Sequence, residues 1–368
     1  MIVNPVLWRG RSVLVTGHTG FKGGWLTLWL HQLNANVHGY ALNPPTDPSL
    51  FDVARIGSVL SSDTRADLAD LGELMTALKA AQPEVIFHLA AQPLVRESYR
   101  DPLRTFMSNI MGTAHVMEAA RATDSVKAIV LITTDKVYAN REWVYPYREI
   151  DPLGGHDPYS ASKAAAEIVT SSYRDSFFSG ESGHAARVAT ARAGNVIGGG
   201  DWAAERLVPD CLRAFAGNET VYLRYPNAER PWQHVLEPLS GYLKLAEHLL
   251  APDGKRFARA WNFGPESSGN ATVEDVAKTI AHFWGNSAQV MPAASSQNPH
   301  EAELLRLDST RARTELGWKS HRSLQQTLQS TVDWYQSWLT GSDMQSNTLA
   351  QICEFSADYD DPTCITAR

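Results

Sequence analysis

The chain has 368 residues, 43% of them apolar and 20% charged, with a net charge of −7, the balance of a globular protein that buries one or two cores. An acidic surface repels phosphate polymers and argues against nucleic-acid binding, and no apolar run approaches the roughly 20 residues that a membrane span needs. No charged-then-apolar leader precedes the first strand, and Cys211, Cys353 and Cys364 are too scattered for a disulfide framework, so the expectation is a cytoplasmic protein.

Ser12–Thr16 is a short β-branched run, and a helical pattern follows from Gly20 to about Leu33. Val37–Ala41 reads as a second strand closed by Pro44-Pro45, Ser62–Ala66 as a third leading into a helix around Gly72–Ala81, and Glu84–Leu89 as a fourth ending in Ala90-Ala91. A helix is predicted from Asp101-Pro102, with proline in its first turn, to about Ala122. Val126–Thr133 is the most apolar strand, which suits a central place in a parallel sheet buried on both faces. A helix starts after Asp157-Pro158, and a sixth strand covers about Arg187–Ala193. Alternation of this length predicts an α/β fold, a doubly wound parallel sheet of the Rossmann type.

After Asn195 the alternation loosens. Gly198-Gly-Gly-Asp201 is a loop, and prolines at 209, 226, 231 and 238 break the pattern. Helices are predicted at Ala204–Ala216, Leu236–Leu250, Val273–Phe283, Ser309–Leu316 and Leu324–Trp338, with chain returning to the sheet near Trp261–Gly264. The expected organisation is a dinucleotide-binding domain over 1–195 with a return at about 233–264, a smaller, mainly helical, discontinuous substrate domain over 196–345, and a polar tail over 346–368 that either wraps the body or moves freely.

Gly17, Gly20 and Gly23 stand between the first strand and its helix. Glycines there permit a tight turn and let backbone amides approach a pyrophosphate at a helix N-terminus. The turn Gly17, His18, Thr19, Gly20, Phe21, Lys22, Gly23 is therefore the candidate cofactor cradle, with Lys22 a cation beside the phosphates. The second strand ends at Asn43, which offers ribose hydroxyls a donor and an acceptor. No arginine stands beside it in the sequence to attract a 2′-phosphate, so the cofactor expected is NAD. Asp67-Leu68 follows the third strand; the carboxylate either accepts from the adenine amino group or caps the next helix. Leu89, Ala90 and Ala91 either let the backbone lie close to the cofactor or simply pack.

Tyr159 and Lys163 are four apart on a predicted helix and share a face. A tyrosine with an ordinary pKa of about 10 must fall by roughly 3 units, about 4 kcal/mol, to act as a base near neutrality. One cation at about 4–5 Å supplies roughly 3–4 kcal/mol at an effective dielectric constant near 20. Lys163 and an oxidised nicotinamide together suffice, and Tyr159 then takes the proton of an alcohol as hydride leaves its carbon. Thr134 ends the central strand, where its hydroxyl can bridge Tyr159 and the substrate. Asn109 either orders backbone or water near Lys163 or satisfies helix ends. Twelve histidines without a His-x-x-x-His or His/Cys cluster predict no metal site, and Trp25 and Trp29, four apart, read as core.

The run Thr16-Gly-His-Thr-Gly-Phe-Lys-Gly23, Thr134 and Tyr159-x-x-x-Lys163 resemble the extended short-chain dehydrogenase/reductase family, over about Arg11 to Trp338. The resemblance implies NAD, a nucleotide sugar bound by the C-terminal half, and a homodimer formed through two long helices. It places Asn195 near the substrate phosphates. Arg206 and Arg230 are candidate pyrophosphate clamps, because a guanidinium makes forked, always-charged contacts; for Arg206 a solvated helix residue is the alternative. Gln92 stands where relatives carry an acid and Leu94 where some carry histidine, so sugar contacts there are expected to differ.

Asp135-Lys136 after Thr134 resembles the nucleotide-sugar 4,6-dehydratases of that family, which oxidise glucose at C4, remove water across C5–C6 and reduce C6. By this resemblance Asp135 is the acid for the C6 hydroxyl and Lys136 the base for the C5 proton. Lysine in the second position, with His18–Trp25, Arg230-Pro-Trp-Gln-His-Val and Leu236-Glu-Pro-Leu-Ser-Gly241, resembles the dehydratases of CDP-glucose. The alternative is a structural salt bridge at a strand end.

Overall fold

The computed structural model describes residues 3–178, 183–265, 270–285, 288–293 and 304–357. Seven strands form the central sheet: β1 (Ser12–Thr16), β2 (Asn36–Ala41), β3 (Ser62–Arg65), β4 (Val85–His88), β5 (Ala128–Ile132), β6 (Arg187–Arg192) and β7 (Ala260–Asn262), in the order β7-β6-β5-β4-β1-β2-β3. Every pairing is parallel. Each residue of β4 and β5 is buried, as their unbroken apolar runs require between two helical layers. The strand order reverses between β1 and β4, which opens a crevice at their carboxyl ends.

Local chemistry sets the helices that border this crevice. Gly20 starts the helix Phe21–Gln32 without a side-chain cap, so its first amides stay available to an anion. Asp157 caps the helix Pro158–Phe177 by accepting from Ser160 N at 2.9 Å, and Pro158 occupies its first turn. That start places Tyr159 at the sheet edge. The helix expected over 101–122 is Pro102–Phe106, a π turn at Met107–Met111, and Gly112–Arg121. The wider turn carries Asn109, and a 3.6-residue pattern cannot reveal it.

The second half differs from expectation in detail. Leu207–Ala216 starts three residues later than predicted, because Glu205 sits in the left-handed region (φ +64°). Leu207–Ala216 and Val273–Trp284 pack together beside two short ladders that the prolines concealed: Thr220–Leu223 with Gln289–Pro292, and Glu229–Pro231 with Asn270–Thr272. The helix Leu236–Leu250 lies on β5 and β6, and Ala260–Asn262 pairs with β6. The predicted helix Ser309–Leu316 contains a π turn at Ala312–Leu316.

The polar tail begins as a helix, Met344–Ala357. Phe355 meets Trp29 edge-on at 5.7 Å, and Thr348 accepts from Trp334 Nε1 at 3.0 Å. Few apolar residues are needed when the partners are tryptophans, which is why composition hid this helix. Residues 358–368 lie outside the described residues. One apolar cluster runs from Val13 and Trp25 through Leu239 to Trp334 and Phe355, so both halves share a core. Trp25 and Trp29 belong to it, as their spacing predicts. Among the described residues no helix is long and apolar enough to cross a membrane.

Candidate active site

The turn after β1 is closed by steric necessity. Gly17 has φ +76°, and a Cβ there would lie 2.7 Å from Ala90 N; a Cβ on Gly23 would lie 2.1 Å from Gly17 O. Thr19 donates to Leu42 O at 3.0 Å, and Ala90 N donates to Thr16 Oγ1 at 3.2 Å, which tie the turn to the ends of β2 and β4. Free helix amides and a backbone approach without side chains fit a dinucleotide pyrophosphate. The His18 ring turns away, across Gly39, to Asp63 Oδ1 at 2.9 Å, and burial holds its pKa low. It braces the sheet and leaves only its backbone to the turn. Lys22 reaches inward, 6.0 Å from the Tyr242 ring centre. Burial, then the charges of Arg206 and Lys163, push its ammonium down to about 7.

Asn43 is exposed beyond β2. An arginine does stand beside that strand in three dimensions: Arg65 lies opposite Ala41. Its guanidinium is held by Asp63 at 2.6 and 2.8 Å and stacks on Phe51 at 4.4 Å. Asp67 is exposed and its Oδ1 accepts from Ala69 N at 2.9 Å; the cap of the helix Leu71–Ala81 is Asp70 instead. Leu68 is buried, and a Cβ on Gly112 would lie 3.0 Å from it. Leu89 and Ala91 are half-buried at the end of β4.

Asn109 is buried and clamps the backbone of one residue on both sides: Oδ1 accepts from Gln92 N at 2.8 Å, and Nδ2 donates to Gln92 O at 3.1 Å and Ser162 Oγ at 2.8 Å. It thereby joins the loop after β4 to the Tyr159 helix. The Gln92 side chain is spent on Leu94 N and Leu94 O in its own loop and on Thr105 Oγ1 of the helix Pro102–Phe106.

Tyr159 and Lys163 both lie buried on one face of their helix. Lys163 Nζ donates to Ile132 O at 3.0 Å, and burial pushes its ammonium down to about 8 while Glu167 opposes the fall. Tyr159 stands at about 12: burial raises it, the Thr134 hydrogen bond and the Arg206 charge lower it, and Asp135 and Asp157 raise it. The phenol is thus no base until further positive charge arrives.

Asp135 and Lys136 lie in a 3-10 turn, Asp135–Val137, beyond β5. Thr134 starts it, accepting from Lys136 N at 3.4 Å and donating to Asp135 Oδ1 at 2.9 Å. No ion pair joins Asp135 to Lys136 among the described residues; the Asp135 contact within the turn is with the Thr134 hydroxyl. Asp135 is buried and its Oδ2 has no hydrogen-bond partner among the described residues, the mark of an oxygen left for a ligand. Gly194 makes the room: a Cβ there would lie 1.8 Å from that oxygen. Gly194→Ala is expected to displace the carboxylate, lowering product formation about 100-fold and stability by about 1–3 kcal/mol, read by a product assay and by thermal melting.

Arg206 is half-buried at the N-cap of the helix Leu207–Ala216, pairs with Asp201 Oδ2 at 2.9 Å, and acts electrostatically on Tyr159 and Lys22. Arg230 is buried in Glu229–Pro231 and donates to Glu229 O at 2.9 Å. Asn195 has φ +43°, and its carbonyl accepts from Gln233 N at 3.3 Å. Gly194, Asp201 and the buried pair Glu167–Arg192 were not singled out by sequence; only Glu167, four beyond Lys163, carried a spacing signal. Among the described residues no cluster of three or more His, Cys, Asp or Glu could hold a metal.

A doubly wound sheet, a glycine turn at its switch point and a Tyr-x-x-x-Lys helix beside a threonine define the extended short-chain dehydrogenase/reductase class. Residues 14–331 match the model of the GDP-mannose 4,6 dehydratase family, and the chain belongs to that family. It is 46% identical to a CDP-glucose 4,6-dehydratase of Salmonella typhimurium, over 96% of this chain and 98% of the relative. A dTDP-glucose 4,6-dehydratase of Xanthomonas campestris pv. campestris is 25% identical over 89% of this chain and 95% of the relative. In fold the chain is similar to the UDP-glucose 4-epimerase of Thermotoga maritima, with a TM-score of 0.74 and 21% identity, covering 89% of this chain and 99% of that one.

Proposed function

We propose that the chain converts CDP-D-glucose to CDP-4-dehydro-6-deoxy-D-glucose and water, with NAD as a resident cofactor. The observation that carries this reading is the Thr134-Asp135-Lys136 turn: a buried carboxylate oxygen with no hydrogen-bond partner among the described residues, next to a lysine in sequence, in a turn that packs against the Tyr159 helix. A 4-epimerase or reductase needs the tyrosine and the lysine four residues on, but has no use for an added acid–base pair. The near-full-length likeness to a CDP-glucose 4,6-dehydratase supports the same choice.

The turn from Gly17 to Gly23 and the loop Leu89-Ala90-Ala91 would hold NAD, which would supply the hydride-transfer chemistry for the oxidation at C4 and the reduction at C6. Asn43, Asp67 and Leu68 border its adenosine half, while Arg65, committed to Asp63, leaves a 2′-phosphate without a partner. Tyr159 accepts the C4 hydroxyl proton with Thr134 orienting that hydroxyl. The C4 ketone acidifies C5; Lys136 removes the C5 proton, and Asp135 protonates the departing C6 hydroxyl. Arg206, Arg230 and Asn195 receive the pyrophosphate, in a substrate region formed by the discontinuous segment 196–345. Gln92 supports the loop beneath the sugar.

CDP-glucose carrying deuterium at C4 tests the reading. The label is expected at C6 of a product lighter by one water; label retained at C4 favours the epimerase or reductase. A panel of CDP-, dTDP-, GDP- and UDP-glucose with mass detection then fixes the base.

The homodimer belongs to the same reading. Leu103, Met107 and Met111 are 75%, 54% and 42% exposed at four-residue spacing along one helical rod, and Ile168, 60% exposed, lies on the neighbouring Tyr159 helix. An apolar stripe of this kind is suited to a second copy. The Met107→Glu, Ile168→Glu double variant is expected to sediment at half the wild-type mass. A cytoplasmic setting is consistent with buried Cys211, which forms no disulfide among the described residues.

A further inference from the structure

Asp135, the acid of the proposed elimination, has few bonds of its own to hold it. Its Oδ1 accepts from the Thr134 hydroxyl at 2.9 Å, and its Oδ2 has no hydrogen-bond partner among the described residues. Packing has to supply the rest of its orientation. The wall is Gly194: a Cβ added there would lie 1.8 Å from Oδ2, 2.2 Å from Cγ and 2.7 Å from Oδ1, so the whole carboxylate lies against that residue. Where the Gly194 backbone moves, the acid must follow.

That backbone belongs to a turn that needs outside support. Asn195 has φ +43°, a left-handed conformation unfavourable for a residue with a Cβ and kept by what surrounds it. Gln233 supports it twice. Its backbone N–H donates to Asn195 O at 3.3 Å, and its side-chain Nε2 donates to Gly194 O at 3.3 Å. The same Nε2 donates to Phe263 O at 2.9 Å. Phe263 is itself anchored: its N–H donates to Arg192 O at 2.8 Å, and its ring meets Trp318 edge-on at 5.0 Å. One amide group therefore ties the turn behind Asp135 to the end of the edge strand β7.

Chemistry fixes which way that amide points. Two carbonyl oxygens face it, and only an NH2 group serves both. The other end, Gln233 Oε1, is left buried with no hydrogen-bond partner among the described residues. Gln233 is 2% exposed, so bulk water does not replace its donors. The machinery of C4 oxidation is held elsewhere: Tyr159 N donates to Ser98 Oγ at 3.1 Å, and Lys163 Nζ to Ile132 O at 3.0 Å.

Resting on the dehydratase reading above, we propose that Gln233 is a positioning residue for the elimination step: its side-chain amide fixes the Gly194–Asn195 turn, and that turn holds the Asp135 carboxylate where the departing C6 hydroxyl meets it. Gln233 touches no reacting atom and acts through Asp135 alone. The run Arg230-Pro-Trp-Gln-His-Val then serves the site at two places, Arg230 and Gln233.

Gln233→Met keeps the length and bulk of the side chain and removes both donors. Single-turnover rapid-quench mass analysis of the holoenzyme with CDP-glucose separates the steps. C4 oxidation and KM are expected to stay at wild-type values. The 4-keto sugar, still hydroxylated at C6, accumulates, because elimination slows about 100-fold, the scale on which a misplacement of about 1 Å acts. In an Asp135→Ala background no carboxylate remains to be placed, and Gln233→Met is expected to slow elimination no further. A general loosening of the fold slows both steps by one factor and adds its full effect to Asp135→Ala; either result overturns the assignment. Gln233→Asn draws the same amide back by one methylene and is expected to show the same pattern, which keeps the test open should Gln233→Met fail to fold. A wild-type chain that forms no dehydrated product from CDP-glucose overturns the dehydratase reading, and this assignment with it.

Discussion

Tyr159→Phe is expected to lower kcat by about 1,000-fold, within the range that a positioned proton-transfer group contributes, with KM for the nucleotide sugar and thermal stability nearly unchanged. The loss is large because the phenol oxygen is the proton acceptor at C4, and small in stability because phenylalanine fills the same buried volume. The resting phenol at about 12, raised mainly by burial, gives the pH dependence its sign. Any positive charge facing it favours the phenolate. Arg206→Met removes one such charge, so the ascending limb of kcat against pH moves to higher pH. Steady-state kinetics across pH on both variants check this; an unshifted limb in Arg206→Met means that Arg206 acts on substrate binding alone.

The second large effect concerns stability. Glu167 and Arg192 meet at 2.9 and 3.0 Å with both side chains 4% exposed. Thr133 and Thr190 each donate to the carboxylate at 2.6 Å, and Arg192 also donates to Tyr138 Oη at 2.8 Å. Arg192→Met strands a buried carboxylate and is expected to cost about 3–5 kcal/mol. The Arg192→Met, Glu167→Leu double variant should recover most of that, since a buried ion pair is often replaceable by apolar packing. Burial pushes the Glu167 carboxyl up, but the Arg192 charge and the three hydrogen-bonding partners hold it below its ordinary value. A depressed carboxyl stabilises the fold above its unfolded pKa, about 4.3, and that contribution is lost as pH falls through the folded value. The deficit of Arg192→Met is therefore largest near neutrality and shrinks in acid, measurable by urea unfolding at a series of pH values.

The strand–helix alternation was legible because each sheet strand is a short apolar run and each layer helix carries one apolar face. Gly17, Gly20, Gly23, Tyr159 and Lys163 were legible because close backbone approach and a four-residue helical spacing are local requirements. The π turn at Asn109, the Met344–Ala357 helix and the ladder of Glu229–Pro231 with Asn270–Thr272 were not. Each depends on a partner far along the chain: Ser162 for Asn109, Trp29 for Phe355, and the opposing strand for the ladder.

The candidate site divides in the same way. Thr134, Asp135 and Lys136 are neighbours in sequence, and the expected roles of Asp135 and Lys136 came from the resemblance that this run carries. Whether Asp135 spends its charge on Lys136 or leaves an oxygen free was decided by the 3-10 turn and by Gly194, which stands 59 residues away and leaves room where a methyl group would not fit. Arg206 likewise acquired its place beside Tyr159 through Asp201 and the turn at Glu205. Sequence by itself determined the order of strands and helices and the reactive groups, because those follow from residue type and short-range spacing. The tertiary structure alone decided which of those groups are buried, charged and in contact, because solvation and electrostatics depend on everything that packs around them.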